Sequence, residues 1–405
     1  MVDQQSANRT GATQLAKQAV CEVILIGYQR FVHSCLRQLC GTLIVLLFAT
    51  GCAHTPQRAH EAGVDWLIEN QNPDGSWGSF DTGRTREVML GTLGSHDGFG
   101  KACLALGVMA LQDASRDDPA AYSSFIDGLE LLLDIEPVGR ATGQVFYDTW
   151  AHTYMVQCLA KLYPDERLTE YRPRMAEVMG REIQAVLDRQ SIDGGWAYYD
   201  FGTTQSRPTG EYSTSFNTAA VLVAFHDARA AGFEIPQVPI DAAIEALARL
   251  RFPQGAFGYS FGHRLRPGSA PNKIQGSIGR NQVCNLALYL WDRDVEVEDL
   301  QRGVEDLRTW HYHILIGKGR PMPHEAWYAT AGYYFMFGHY YASRVIEQLP
   351  EPDRAEHARW LAEVMADTNE DDGSWFDFPL YGYYQAYGTA FGVMTLQHTN
   401  GLIEQ

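Results

Sequence analysis

Gln190-Ser191-Ile192-Asp193-Gly194-Gly195-Trp196 is a stretch this chain writes more than once. Gln71-Asn72-Pro73-Asp74-Gly75-Ser76-Trp77 repeats its Gln-x3-Gly-x-Trp pattern, and Asn369-Glu370-Asp371-Asp372-Gly373-Ser374-Trp375 does so with Asn for Gln. A worn copy, Arg251-Phe252-Pro253-Gln254-Gly255-Ala256-Phe257, keeps the spacing with Phe for Trp. Each copy separates two apolar, helix-like segments. Its physical sense is a helix stop: the Asp bonds nearby backbone, and the Gly takes the left-handed conformation that closes a helix. The Trp folds back over the last turn, while the Gln amide bonds local backbone or lies on the indole. Units of this kind bury their apolar faces only against neighbouring units, so the repeat decides the architecture.

Around the signatures, apolar periodicity predicts six helix pairs: 61–71 with 99–112, 123–134 with 147–163, 173–190 with 213–230, 240–250 with 278–291, 301–316 with 325–348, and 355–367 with 384–397. The second member of each pair is apolar on nearly every face, as in Lys101-Ala102-Cys103-Leu104-Ala105-Leu106-Gly107-Val108. Helices apolar all round are buried ones. First members keep a polar face, as in Arg181-Glu182-Ile183-Gln184-Ala185-Val186-Leu187-Asp188. The alternation describes two concentric rings, an all-α, α/α toroid of six helical hairpins over 61–400, with no period-2 runs to suggest a sheet. Inner helices then run parallel and present their N-termini, with partial positive charge and free N–H groups, to one rim. The segments 78–98, 197–212, 258–277 and 376–383 arrive there too. A site is expected on that rim and in the hole below it.

The 405 residues, 45% hydrophobic and 12% aromatic, are ample for a large core. A net charge of −17 sets the surface as a whole against nucleic acid. Ahead of the repeats, Arg30 and Arg37 precede the apolar run Leu43-Ile44-Val45-Leu46-Leu47-Phe48, followed by Ala49-Thr50-Gly51-Cys52. That run is far short of the about 20 residues a spanning helix needs. Positive flank, short apolar core and small residues make a secretory leader over 1–51. Cys52 after Ala-Thr-Gly resembles a bacterial lipobox, with Ala49 for the usual Leu. This implies lipidation at Cys52, a membrane anchor, and a short tether over 52–60 in the cell envelope. Residues 1–29 are long for a leader, and a start of translation at Val32 accounts for them. Beyond Cys52 only Cys103, Cys158 and Cys284 remain, in apolar stretches that suit small buried residues.

Gln-x3-Gly-x-Trp ahead of a buried helix resembles the QW repeat of the squalene–hopene cyclases, the β subunits of protein prenyltransferases and their bacterial relatives, over residues 60–400. The resemblance implies a toroid with an isoprenoid or other lipid in a central cavity, and transferase or cyclase-like chemistry. The Asp-x-Asp-Asp acid of class II cyclases is missing: Asp371-Asp372 belongs to a helix stop, and Asp292-Arg293-Asp294 follows the fourth inner helix. The prenyltransferase zinc set, Asp-x-Cys plus a later His, is incomplete. Cys284 stands at a comparable place, but Gln282 replaces the Asp and His324 matches only loosely. One ligand of three makes no zinc site, so no metal or other cofactor is expected.

Charge carries further. Arg264, Arg266, Lys273 and Arg280, with His263, stand between Gly255 and Val283 without an acid, and Gly317–His324 adds Lys318 and Arg320. The resemblance implies that this pre-helix region binds a lipid diphosphate, and helix N-termini plus Arg forks suit phosphate or carboxylate. The plain alternative is a pair of solvated loops whose cations offset acids on other repeats. Trp327, Tyr334 and Tyr341 recur every seven residues, and Tyr384, Tyr387 and Phe391 follow i, i+3, i+7. Trp327, Tyr334, Tyr384 and Tyr387 are therefore read as cavity wall, fit for an isoprenoid, a cation over ring faces or a stacked sugar; such stripes also serve as plain core.

Asp148 and His152, four apart, share a helix face, where the carboxylate orients a general base; the bland reading is a helix cap beside a core histidine. His324 and Glu325 open the fifth inner helix as a second acid–base candidate, where Glu325 also suits the helix dipole. His311 and His313, two apart, diverge and make a poor metal pair. The leading expectation is a cavity that holds a lipid by its chain and a basic rim that holds its anionic head. The alternatives are a carbohydrate-active toroid, lyase or glycosidase, taking acidic sugars from envelope polysaccharide, and a non-catalytic envelope binding protein. Fold does not choose among them.

Overall fold

The computed structural model places twelve long helices among the described residues, alternately polar-faced and buried. The polar-faced set is α1 (Pro56–Glu69), α3 (Pro119–Asp134), α5 (Arg172–Asp188), α7 (Gln237–Ala248), α9 (Val297–Thr309) and α11 (Asp353–Asp367). The buried set is α2 (Leu93–Ala114), α4 (Thr149–Leu162), α6 (Ser215–Ala230), α8 (Ile274–Leu290), α10 (Tyr334–Ile346) and α12 (Tyr384–Ile403). Residues 55–81, 93–137, 147–198, 213–320, 322 and 324–403 are described, all within the unit His54–Gln405. The leader, Cys52 and parts of the segments 78–98 and 197–212 lie outside the described residues. Among the described residues there is no strand, and no helix is long and apolar enough to cross a membrane.

Helix starts follow local chemistry. Asp118 caps α3 by accepting from the Ala120 N–H at 2.8 Å, with Pro119 at the first helical position. Glu296 and Asp299 form a capping box on α9. The buried helices contact one another in order, α2 to α4, α6, α8, α10 and α12, and α12 returns to α2. The inner ring is closed. In α8 every residue from Gly276 to Leu288 is buried. Polar-faced helices pack outside it, with α1 touching both α3 and α11.

The signatures set this spacing. Gly75, Gly194, Gly255 and Gly373 hold φ of +92°, +94°, +88° and +85°. In the three full copies the Asp accepts from the N–H two residues on: Asp74 from Ser76 at 3.0 Å, Asp193 from Gly195 at 3.2 Å and Asp372 from Ser374 at 3.0 Å. Each indole N–H donates to the carbonyl ten residues earlier, Trp77 to Leu67 (2.7 Å), Trp196 to Val186 (2.8 Å) and Trp375 to Met365 (2.9 Å). Gln71 then donates to Ser124 O of α3, and Gln190 to Pro239 O of α7, tying each turn to the next outer helix. In the worn copy an ion pair takes that role, Arg251 lying 2.8 Å from Asp299 of α9. The last copy closes the circle: a Cβ on Gly373 would meet Ala62 O of α1 at 2.7 Å, and one on Gly63 of α1 would meet the Trp375 ring at 2.5 Å.

The fifth pair departs from the expected boundaries. The outer helix ends at Thr309 and a short helix, His311–Leu315, follows; the inner helix starts only at Tyr334. Left-handed φ at His324 (+63°), Tyr328 (+58°) and Ala329 (+56°) interrupts any helix there. The seven-residue stripe therefore loses its first member, because Trp327 stands in a separate 3-10 turn, Trp327–Ala329.

Two glycines with one backbone conformation separate conformational from steric cost. Nothing lies within 4 Å of a Cβ built on Gly255, whereas one on Gly194 would meet Ala242 O at 2.5 Å. Gly255→Ala should cost about 1–2 kcal/mol, the left-handed term alone, and Gly194→Ala clearly more. Urea unfolding of the two variants checks this, and equal losses would refute the wedge.

Candidate functional site

The N-terminal halves of the inner helices enclose a cavity of about 420 Å³. Phe99, Ala102, Cys103 and Leu106 of α2, Trp150 and Tyr154 of α4, Phe216 of α6, Tyr334 and Phe337 of α10, and Tyr387 and Phe391 of α12 form its wall. Tyr147, Tyr198, His324, Tyr333, Phe378, Leu380 and Tyr383 complete it from the rim. The rings lock together: Trp150 stacks on Tyr154 with centroids 5.5 Å apart, and Phe216 meets Tyr334 edge-on at 5.3 Å. Among the described residues eighteen line the cavity; thirteen of them are Phe, Tyr or Trp, and none is Asp, Glu, Lys or Arg.

Of the four expected wall residues, Tyr334 and Tyr387 line the cavity. Trp327 does not; displaced by the break before α10, it is 59% exposed and leans on Tyr312, ring centroids 5.7 Å apart. Tyr384 stands outside the lining, edge-on to Phe376 at 5.5 Å.

The expected basic rim does not converge on the cavity. Arg280 is 2% exposed, and its guanidinium donates to the carbonyls of Phe257 (3.0 Å), Gly276 (2.9 Å) and Pro271. It braces the loop before α8. Lys318 pairs with Glu370 at 2.8 Å and lies 4.4 Å over the Phe376 ring. Arg320 donates to Ile316 O at 2.6 Å, and Arg264 to Arg251 O at 3.1 Å. Arg266 and Lys273 are exposed.

The first acid–base pair comes together, but behind the wall. Asp148 Oδ2 lies 3.6 Å from His152 Nε2, and His152 Nδ1 lies 2.5 Å from Glu182. Glu182 also faces Lys101 at 3.4 Å, and Arg189 donates to Asp148 at 2.6 Å. Lys101, Asp148, His152 and Glu182 are each at most 2% exposed, so alternating charges tie α2, α4 and α5 together. Burial pushes the Glu182 carboxyl up, yet the His152 bond and the charges of His152, Lys101 and Arg181 overcome it and hold it at about 2. Burial is likewise outweighed at Asp148, by His152 and Arg189. Asp148 makes no side-chain cap bond to α4.

His324 does face the cavity, although it opens no helix. Its Nδ1 lies 2.8 Å from Ala329 O. A carbonyl only accepts, so Nδ1 carries a proton and donates it. Glu325 stands aside, 42% exposed and 3.9 Å from Arg320.

Asp377, two residues past Trp375, escaped the sequence reading. It is fully buried and reaches the cavity through a wall residue: Tyr387 Oη donates to its Oδ1 at 2.6 Å, and the Met336 N–H to its Oδ2 at 2.7 Å. Burial raises its carboxyl to about 6 against those bonds and Lys318. The signal in sequence was an acid in an otherwise aromatic rim segment, Trp375–Tyr387. His339 was also missed. It receives a bond at 2.9 Å from His311, and burial lowers the two to about 3 and about 4.

At the other ends of the inner helices, charge fills the hole. Arg344 of α10 grips Asp227 of α6 at 2.8 and 3.0 Å, His398 of α12 lies 3.4 Å from Glu347, and Lys161 of α4 lies 3.6 Å from Asp113 of α2. No group of three or more His, Cys, Asp or Glu among the described residues is placed to hold a metal. Cys284 is buried, and desolvation lifts its thiol to about 12.

No family model and no curated protein matches the chain. Solved structures do. Cellobiose 2-epimerase from Spirochaeta thermophila superposes with a TM-score of 0.53 at 14% identity, over 91% of this chain and 99% of that one. Its counterpart from Bacillus thermoamylovorans gives 0.52 at 10%, over 82% and 95%. The type II terpene cyclase MstE from Scytonema gives 0.48 at 12%, over 86% and 99%. The fold is the α/α toroid. At these identities the fold is what is shared.

Two carboxylates should behave oppositely. Glu182→Gln leaves Lys101 buried without a carboxylate and should cost about 3–5 kcal/mol in urea unfolding. Asp377, with its pKa raised, favours the folded state when protonated, so its contribution is full below about pH 4 and lost as pH rises through about 6. The melting-temperature difference between the parent and Asp377→Asn should fall steadily from pH 4 to pH 7; a flat difference would refute the assignment.

Proposed function

We propose that the toroid binds an extended, uncharged, apolar ligand of isoprenoid type in its aromatic cavity. The observation that carries this reading is the wall itself, thirteen aromatic rings and no ionised side chain among its described residues. Burying apolar surface drives such binding, while an unpaired charge taken into that space would lose its hydration without return. The anionic head expected from the basic rim is therefore dropped, since Arg280 and Lys318 are already engaged. Where the ligand is transformed, His324 and the Tyr387–Asp377 pair are the proton-active groups it meets, and the ring faces favour any developing cation.

The carbohydrate reading shares the fold of the two epimerases. It finds less support in the cavity, where no carboxylate, amide or cation among the described residues lines the wall to bind sugar hydroxyls. A lipid-anchored envelope protein remains the expected setting, resting on the leader and Cys52 alone.

Equilibrium binding of squalene, geranylgeraniol, geranylgeranyl diphosphate and an acidic oligosaccharide to the full chain tests the reading. The two neutral isoprenoids should bind. Ala102→Trp, which fills the cavity from α2, should weaken them tenfold or more with the helical circular dichroism unchanged. Binding of the oligosaccharide alone, or isoprenoid binding indifferent to Ala102→Trp, would overturn the proposal.

A further inference from the structure

Most cavity phenols lie among other rings, but Tyr387 is held by a carboxyl group. Its Oη is 2.6 Å from Asp377 Oδ1 and 3.0 Å from Phe378 O. Asp377 cannot turn away, because its Oδ2 accepts the Met336 N–H in the first turn of α10. An ionised Asp377 only accepts, so the Tyr387 proton points at the carboxylate and the phenol oxygen keeps a lone pair for the cavity. A protonated Asp377 reverses the bond: its O–H donates to Tyr387 and takes up that acceptor position, and the phenol hydrogen turns to Phe378 O, 3.0 Å away.

We infer that Tyr387, fixed by Asp377, is a hydrogen-bond acceptor subsite that reads a hydroxyl on the ligand, so that the cavity prefers an apolar alcohol to the corresponding hydrocarbon. This rests on the apolar-ligand reading and adds the polar end of the ligand to it. A buried donor is strongly discriminated when the site offers it an acceptor, because the same acceptor facing a hydrocarbon stays unpaired. The preference also belongs to one protonation state. Lys318, Tyr154 of α4 and Tyr387 are the titratable groups that act on Asp377, and Cys103 of α2 acts on Tyr387. Burial pushes Cys103 up to about 12 and raises both tyrosines, while Lys318 is paired with Glu370. Asp377, raised to about 6, is the member of this set that changes charge near neutrality.

The experiment compares the affinities of the full chain for geranylgeraniol and for the C20 hydrocarbon lacking its hydroxyl. At pH 7.5 the parent should favour the alcohol by about three- to tenfold, one neutral hydrogen bond. Tyr387→Phe should bind both equally. At pH 5 the parent should lose most of its preference. His324 also faces the cavity, so the pH arm is read as parent minus Asp377→Asn, whose amide does not titrate. Failure of the hydrocarbon to bind at all would sink the apolar-ligand reading. Hydrocarbon binding with no alcohol preference, or a preference that survives Tyr387→Phe, would sink the subsite alone.

Discussion

Everything in this fold hangs on an indole reaching back ten residues. Each signature Trp satisfies a carbonyl in the last turn of the helix just ended, one of the acceptors a helix leaves unpaired. Its ring fills the gap between the next inner and next outer helix: Trp77 covers Gly107 and Gly128, and Trp375 covers Gly392 and Gly63. One side chain thus ends a helix, sets the distance between the rings and docks the following unit. The left-handed glycine beside it brings the turn against the neighbouring backbone, where no other residue fits. The cavity is a by-product of this spacing, since it fixes how far apart the inner helices stand.

The hole is polar at one end and apolar at the other. Arg344 and Lys161 stand at the C-terminal ends of the inner helices, where positive side chains suit the helix dipoles, with Asp227 paired to Arg344. The aromatic chamber occupies the N-terminal halves, where unpaired N–H groups lie. Asp377 belongs to this aromatic end, taking the Met336 N–H with one oxygen and the Tyr387 hydroxyl with the other. A carboxyl group in so dry a place tolerates ionisation poorly, which makes it a sensitive reporter of what occupies the cavity.

Much of the architecture was legible because the signatures state it locally. Asp-Gly turns, Trp two residues on and helices apolar on every face are properties of neighbours in sequence, and the twelve helices fall close to where periodicity put them. The fifth hairpin was misjudged because left-handed residues at His324, Tyr328 and Ala329 carry no glycine to announce them. The site was harder to read. Counting cations along a loop could not reveal that Arg280 turns inward to three carbonyls, a choice set by the fold of 257–276. Asp148 and His152 were correctly paired, but helix spacing could not tell the face toward the hole from the face toward α5. Asp377 acquires its character only from burial, which no short motif encodes.

Closure of the ring through α1 has a temporal side. The seat for the first helix is made by Trp375, Gly373 and Val393, near the far end of the chain. α1 meets α2 and α3 early, but its seat on α11 and α12 exists only once the last hairpin has been made, so part of the apolar stripe of Pro56–Glu69 waits exposed until then. Contacts at such sequence separation are slow to make and leave sticky surface in the meantime. An open solenoid escapes this by capping its ends with polar repeats; a closed ring needs no caps, and its cost is a first helix that depends on the last.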